Sequence, residues 1–136
     1  MTVAGLRLRA DDAEDFQVVS ACLQDALVPL GDMSFDGERK EFVIVANRFL
    51  WEGTPGRRVH CAVHFTGVEA VRRRGIDLRD RGRILDLLTV GVEPGAVNLL
   101  FAGDLMVRLE GQRIGCRLHD IGEPWPAAAQ PGHPDS

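Results

Sequence analysis

In Arg58-Val59-His60-Cys61-Ala62-Val63-His64-Phe65, the apolar Val59, Cys61, Val63 and Phe65 alternate with Arg58, His60, Ala62 and His64. Period two is the signature of a strand with one buried face. That geometry decides the chemistry of the segment as well as its structure. His60 and His64 would share a metal if they stood one helical turn apart, but on a strand they are roughly 13 Å apart, too far for one ion. Cys61 points to the opposite face from both histidines. A Cys-His nucleophile pair is therefore excluded, and Cys61 reads as a core residue.

Working upstream, Glu41 to Glu52 reads as a second strand, joined to Met33-Ser34-Phe35 through the turn dipeptide Asp36-Gly37. Phe42 to Ala46 is apolar at consecutive positions and loads both faces, which predicts a central strand. Polar residues interrupt it before its end. Alternation puts Asn47, Phe49 and Trp51 on one face and Arg48, Leu50 and Glu52 on the other. Asn47, Arg48, Trp51 and Glu52 are the candidates for a shallow ligand surface; the alternative is a strand emerging from the core with Trp51 covering its edge. Further upstream, Gly5 to Arg9 alternates as a short strand, and Asp11 or Asp12 caps a helix predicted over 12–27.

Downstream come Val68 to Arg72, an arginine-rich segment, Ile84 to Val92, whose leucines also suit a short helix, and, after short turns, Val97 to Phe101 and Leu105 to Leu109, a pattern that fits an antiparallel meander. Ile114, Leu118 and Ile121 fall at helical spacing and predict a C-terminal helix over about 112–121. From Pro124 the chain is rich in proline and alanine and predicts a mobile tail. The fold class expected is α+β over residues 1–123, a curved antiparallel sheet of about six to eight strands with an N-terminal and a C-terminal helix. The alternative topology is a partly closed barrel capped by its last helix, resembling pleckstrin-homology architecture.

The 136 residues are 45% hydrophobic and 26% charged, values that exclude global disorder. No apolar run approaches the roughly 20 residues of a membrane helix, and the N-terminus lacks a secretory apolar region. Cys22, Cys61 and Cys116 are too dispersed for a zinc knuckle or a disulfide framework. A cytoplasmic location with no cofactor follows. No serine nucleophile elbow and no phosphate-binding glycine loop occurs.

Charge is distributed unevenly. Arg72, Arg73, Arg74, Arg79, Arg81 and Arg83 stand within twelve residues against Asp77 and Asp80, a local net of +4 in a chain whose total is −4, leaving −8 elsewhere. Such a segment suits an anionic ligand or an acidic partner; the alternative reading is a solvated loop whose arginines pair with the chain's abundant acids. It carries no interleaved aromatic residue, and the sequence pI of about 5.5 argues against nucleic acid.

Leu23-Gln24-Asp25-Ala26, Asn47-Arg48-Phe49-x-Trp51-Glu52, Arg74-Gly75-Ile76-Asp77 and Asp120-Ile121-Gly122-x-x-Trp125 together resemble a bacterial family of unknown function, domain of unknown function 2948. The likeness covers nearly the whole chain. Leu50 departs from the acidic residue expected between Phe49 and Trp51, and Gly115 interrupts a more helix-favouring segment. The resemblance implies a cytoplasmic single-domain protein and supplies no reaction. The function expected is a non-catalytic binding or adaptor protein for an anionic ligand or a protein partner, with self-association through a strand edge as a further mode. The alternative is a small enzyme with an acid-base residue in a cleft near Trp51.

Overall fold

The computed structural model describes residues 6–50 and 56–126. Along the chain it contains β1 (Arg7–Ala10), α1 (Ala13–Cys22), β2 (Ala26–Pro29), a 3₁₀ turn (Leu30–Asp32), β3 (Met33–Asp36), β4 (Glu41–Phe49) and β5 (Arg57–Thr66). There follow β6 (Ala70–Arg74), β7 (Ile84–Glu93), β8 (Ala96–Phe101), β9 (Leu105–Glu110) and β10 (Gly115–Pro126). One sheet holds all ten strands in the order β1-β10-β5-β4-β2-β7-β8-β9-β6, with β3 paired to β4 beside that path. Every pairing is antiparallel.

The α+β expectation is therefore corrected: the described residues are mostly β, with ten strands and one α-helix. β1 and β6 are edges and do not pair, so the sheet is open, and the barrel capped by a C-terminal helix is not found either. The meander holds only in two runs, β3-β4-β5 and β7-β8-β9, while β1, β2, β6 and β10 pair with strands distant in sequence. Among the described residues no helix is long and apolar enough to cross a membrane.

The helix expected over 12–27 stops at Cys22. Asp12 caps it as the sequence predicts, its Oδ1 accepting the Asp15 N–H at 2.8 Å. At its far end Leu23 donates back to the carbonyls of Val19 and Ser20, and Asp25 takes φ 62°. Ala26–Pro29 then pairs with Ile84–Leu87 as β2. Leu23 and Ala26 fit helical spacing, but Ala26, Val28 and Leu30 are also the alternate, buried positions of a strand. Pairing between β4 and β7 satisfies their backbone and wins. Beyond Leu87 the edge that β7 leaves free is taken by α1, whose Ser20 Oγ accepts the Val90 N–H at 3.0 Å.

The C-terminal correction is larger. Residues 115–126 form β10 between β1 and β5, where a helix was expected over 112–121. Cys116 and Leu118 face the core, and the next inward position is Asp120, so the apolar alternation breaks where a strand pattern would be recognised. The strand continues through Pro124 to Pro126, past a register shift between Ile121 and Trp125. A bulge is one of the few places in a sheet that tolerates proline. Of the predicted tail over 124–136, residues 124–126 belong to β10 and the remainder lies outside the described residues.

Asp120 is buried because it has a partner. Arg48 Nε donates to Asp120 Oδ1 at 2.9 Å and Arg48 Nη2 to Asp120 Oδ2 at 2.8 Å, with both side chains fully excluded from solvent. Arg48 Nη1 also donates to the Phe49 carbonyl, and Asp120 Oδ2 accepts the Leu6 N–H. The pair spans β4 to β10 over the inward Cys61 and ties in the start of β1. Burial pushes the Cys61 and Cys116 thiols up to about 12, which makes both poor nucleophiles.

The two halves of the sheet meet at a corner. β5 runs into β6 through Thr66-Gly67, and β9 runs into β10 beside it, so β5 with β10 and β6 with β9 form one bent antiparallel ribbon. A Cβ on Gly67, which lies at φ +75°, would strike the Arg113 carbonyl oxygen, and a Cβ on Gly111 would strike that of Gly67. Glycine is required here by contact as well as by conformation. Gly67→Ala and Gly111→Ala should each lower unfolding free energy, the former by about 2 kcal/mol or more because left-handed backbone strain adds to the clash. Gly91→Ala, with open space around it, should stay within about 0.5 kcal/mol. Urea unfolding midpoints of the three variants test this, and equal midpoints would remove the corner from the fold's determinants.

Candidate functional site

The outward face of β1, β10 and β5 is built by strict alternation. Arg7 and Arg9 point away from the core while Ala10 points in; Arg117 and His119 flank the buried Leu118; His64 lies between the buried Val63 and Phe65. Register then groups them. Arg7 is opposite His119, Arg9 is opposite Arg117, and Arg117 is opposite His64. These five side chains surround a shallow pocket of about 460 Å³. The His64 and His119 rings stack, with centroids 5.7 Å apart and planes inclined by 14°.

The pocket's cations are under-neutralised. Glu41 Oε2 lies 3.7 Å from both Arg117 Nη2 and His64 Nδ1, beyond hydrogen-bond length. His64 Nδ1 is buried and has no hydrogen-bond partner among the described residues. Arg7 and Arg9 make no side-chain hydrogen bond or ion pair among the described residues. Three arginines line one concavity, and each guanidinium group can offer parallel N–H donors to a phosphate or carboxylate.

The arginine-rich segment is arranged differently. Arg72 Nε bonds Glu110 at 2.9 Å, Arg74 Nη2 bonds Asp104 at 3.0 Å, and Arg79 bonds Asp77 through Nε and Nη2. Arg73 Nε donates to the Ile76 carbonyl and Arg81 Nη2 to that of Gly31, while the Arg83 backbone holds the loop to Leu30 and Asp80. Arg72, then Arg108, holds the Glu110 carboxyl below its ordinary range, and Arg79 does the same for Asp77. Asp77 is already counted in the +4, and two acids from outside the segment, Glu110 and Asp104, offset part of what remains. Arg72, Arg73 and Arg74 also lie on the edge strand β6, where charge discourages pairing with another chain.

The Asn47 surface is divided by the sheet. Arg48 is in the core, whereas Asn47 faces outward and accepts from Arg58 Nη1 through Oδ1 at 2.7 Å. Arg58, only 7% exposed, lies over the Phe49 ring at 3.6 Å. Trp51 and Glu52 lie outside the described residues. His60 pairs instead with Trp125, their ring centroids 4.6 Å apart.

Arg7, Arg9, Arg117 and His119 were not among the sequence candidates. Alternation in β1 was visible, but Arg117 and His119 become outward neighbours only once residues 115–126 are read as a strand.

The comparisons place the chain in a family. It belongs to the family described as protein of unknown function (DUF2948), whose model matches residues 6–133. No curated protein and no solved structure matches it.

One further titratable group stands out on the outward face. Burial, with the neighbouring Asp25 charge, pushes the Asp86 carboxyl up, and Arg58 offsets this only in part. Asp86 Oδ1 and Arg58 Nε are both buried without a hydrogen-bond partner among the described residues. A carboxyl raised by folding favours the native state at low pH and loses that contribution as pH rises through its native value. Asp86→Asn should therefore remove a decline in stability that the wild type shows from the ordinary carboxylate value, about 3.9, up to the raised one. Unfolding midpoints measured across pH test this; parallel curves for the two proteins would contradict it.

Proposed function

We propose that this protein is a non-catalytic binding module that captures an anionic group, a phosphate or carboxylate of a ligand or acidic partner, in the pocket formed by Arg7, Arg9, Arg117, His64 and His119. The observation that carries this reading is the convergence of three arginines, none hydrogen-bonded to a carboxylate, in a chain whose net charge is −4. An anion there recovers the charge-assisted bonds that the protein's own acids leave unmade. The free cysteines fit a reducing, cytoplasmic setting.

The arginine-rich segment is the second location for such a partner. It ranks below the pocket because Arg72, Arg74 and Arg79 already hold acids at 2.9 to 3.1 Å. The enzyme alternative draws its support from Asp86, a raised carboxyl with an unpartnered oxygen, as the acid-base group.

Heparin retention and pyrophosphate titration across a salt series test the proposal. The triple variant Arg7→Gln, Arg9→Gln, Arg117→Gln should weaken binding about tenfold or more and flatten its salt dependence, as expected for lost ionic contacts. The variant Arg72→Gln, Arg73→Gln, Arg74→Gln, Arg79→Gln should bind as the wild type does. The reverse pattern would move the site to the arginine-rich segment, and no binding by well-folded wild type would discard the reading.

A further inference from the structure

The basic pocket does not end at the histidines. Moving along β10 past Arg117 and His119, the next outward side chain is Ile121, and beyond the register shift stands Trp125. On β5 the matching outward positions after His64 are Ala62, His60 and Arg58. Two residues along a strand advance about 6.6 Å, so the Ile121/His60 row lies about 7 Å beyond the Arg7/His119 row and about 13 Å beyond the Arg9/Arg117 row, a distance the long arginine side chains shorten.

This end of the face is chemically different. Ile121 is 43% exposed, the His60 and Trp125 rings lie 4.6 Å apart at 47°, and the three side chains are neighbours across paired strands. Scattered exposed apolar residues are ordinary on a protein surface. Here an exposed aliphatic side chain and two rings adjoin each other, and a cluster of cations lies directly alongside. A surface shelf of one aliphatic side chain and two rings beside an anion pocket fits an aromatic body joined to an anionic arm.

We infer that pocket and shelf form one site for a planar ring carrying an anionic arm, the chemical class of a nucleoside monophosphate. The phosphate sits among Arg7, Arg9 and Arg117, and the ring lies on Ile121, His60 and Trp125. The inference rests on the anion pocket proposed above and adds the ligand's second half. Stacking on an aromatic side chain tolerates many ring structures, so the shelf selects for a ring without naming the base. The sugar phosphate arm bridges the row at His119 and Ala62.

The test is a calorimetric titration of the full chain with inorganic phosphate, adenosine, adenosine 5′-monophosphate and an oligothymidylate. The monophosphate should bind about tenfold or more tighter than phosphate, within the range of one base stacked on an aromatic side chain. Trp125→Leu and, at an exposed position that spares the fold, Ile121→Ser should remove that excess and leave phosphate affinity unchanged. Arg117→Gln should weaken both ligands. Equal affinity for phosphate and monophosphate, with Arg117 required for each, would overturn the shelf and leave the anion pocket standing. Failure of every ligand to bind would overturn both, and far tighter binding of the oligothymidylate would overturn the assignment to a mononucleotide.

Discussion

The ion pair between Arg48 and Asp120 is the constraint on which the arrangement of strands depends. Removing two charges from water costs several kcal/mol per ion, and only bidentate geometry with further hydrogen bonds offsets it. Both conditions are met: two parallel N–H to oxygen bonds, with the Phe49 carbonyl and the Leu6 N–H as additional partners. Satisfied in this way, the pair fixes the position of β10 relative to β4 across β5. A slip of one residue would turn Asp120 to solvent, leave Arg48 buried without it, and exchange every inward and outward side chain of β10. Arg117 and His119 face outward in the same register that turns Asp120 inward.

Two other features hold the sheet around its core. The ribbon of β5 with β10 and β6 with β9 bends where Gly67 and Gly111 let two backbones touch. α1 covers the part of β7 that β2 does not reach, burying Phe16 and Val19 and supplying Ser20 to a strand amide. The result is one continuous cluster of buried side chains under an open sheet whose outer face is free to carry charge. At the surface the balance of pairing decides what each arginine can do. Arg72, Arg74 and Arg79 hold acids directly, whereas Arg7, Arg9 and Arg117 have at best a carboxylate at 3.7 Å.

The parts of the fold legible in sequence were those whose inward positions are apolar. β5, the hairpin of β3 and β4, and the N-cap at Asp12 follow from period, turn chemistry and capping preference. β10 was illegible because Asp120 occupies an inward position, and a charged residue there reads as an exposed one. Its explanation, Arg48, is 72 residues away. The same distance problem hid the candidate site. Arg7 and Arg117 become neighbours through strand pairing, so no window of sequence shows them together. The arginine-rich segment was conspicuous for the opposite reason: its six cations fall within twelve residues, while Glu110 and Asp104, which neutralise two of them, lie 38 and 30 residues further on.

The most direct test of this dependence is the coupling free energy of Arg48 and Asp120, measured by urea unfolding of Arg48→Met, Asp120→Asn and the double variant. Each single change should cost about 3–5 kcal/mol, because it strands a buried charge, and the double variant should cost clearly less than the sum. Costs that add within about 0.5 kcal/mol would show that the two residues act independently. The register of β10, and with it the outward face of Arg117 and His119, would then have to be set by something else.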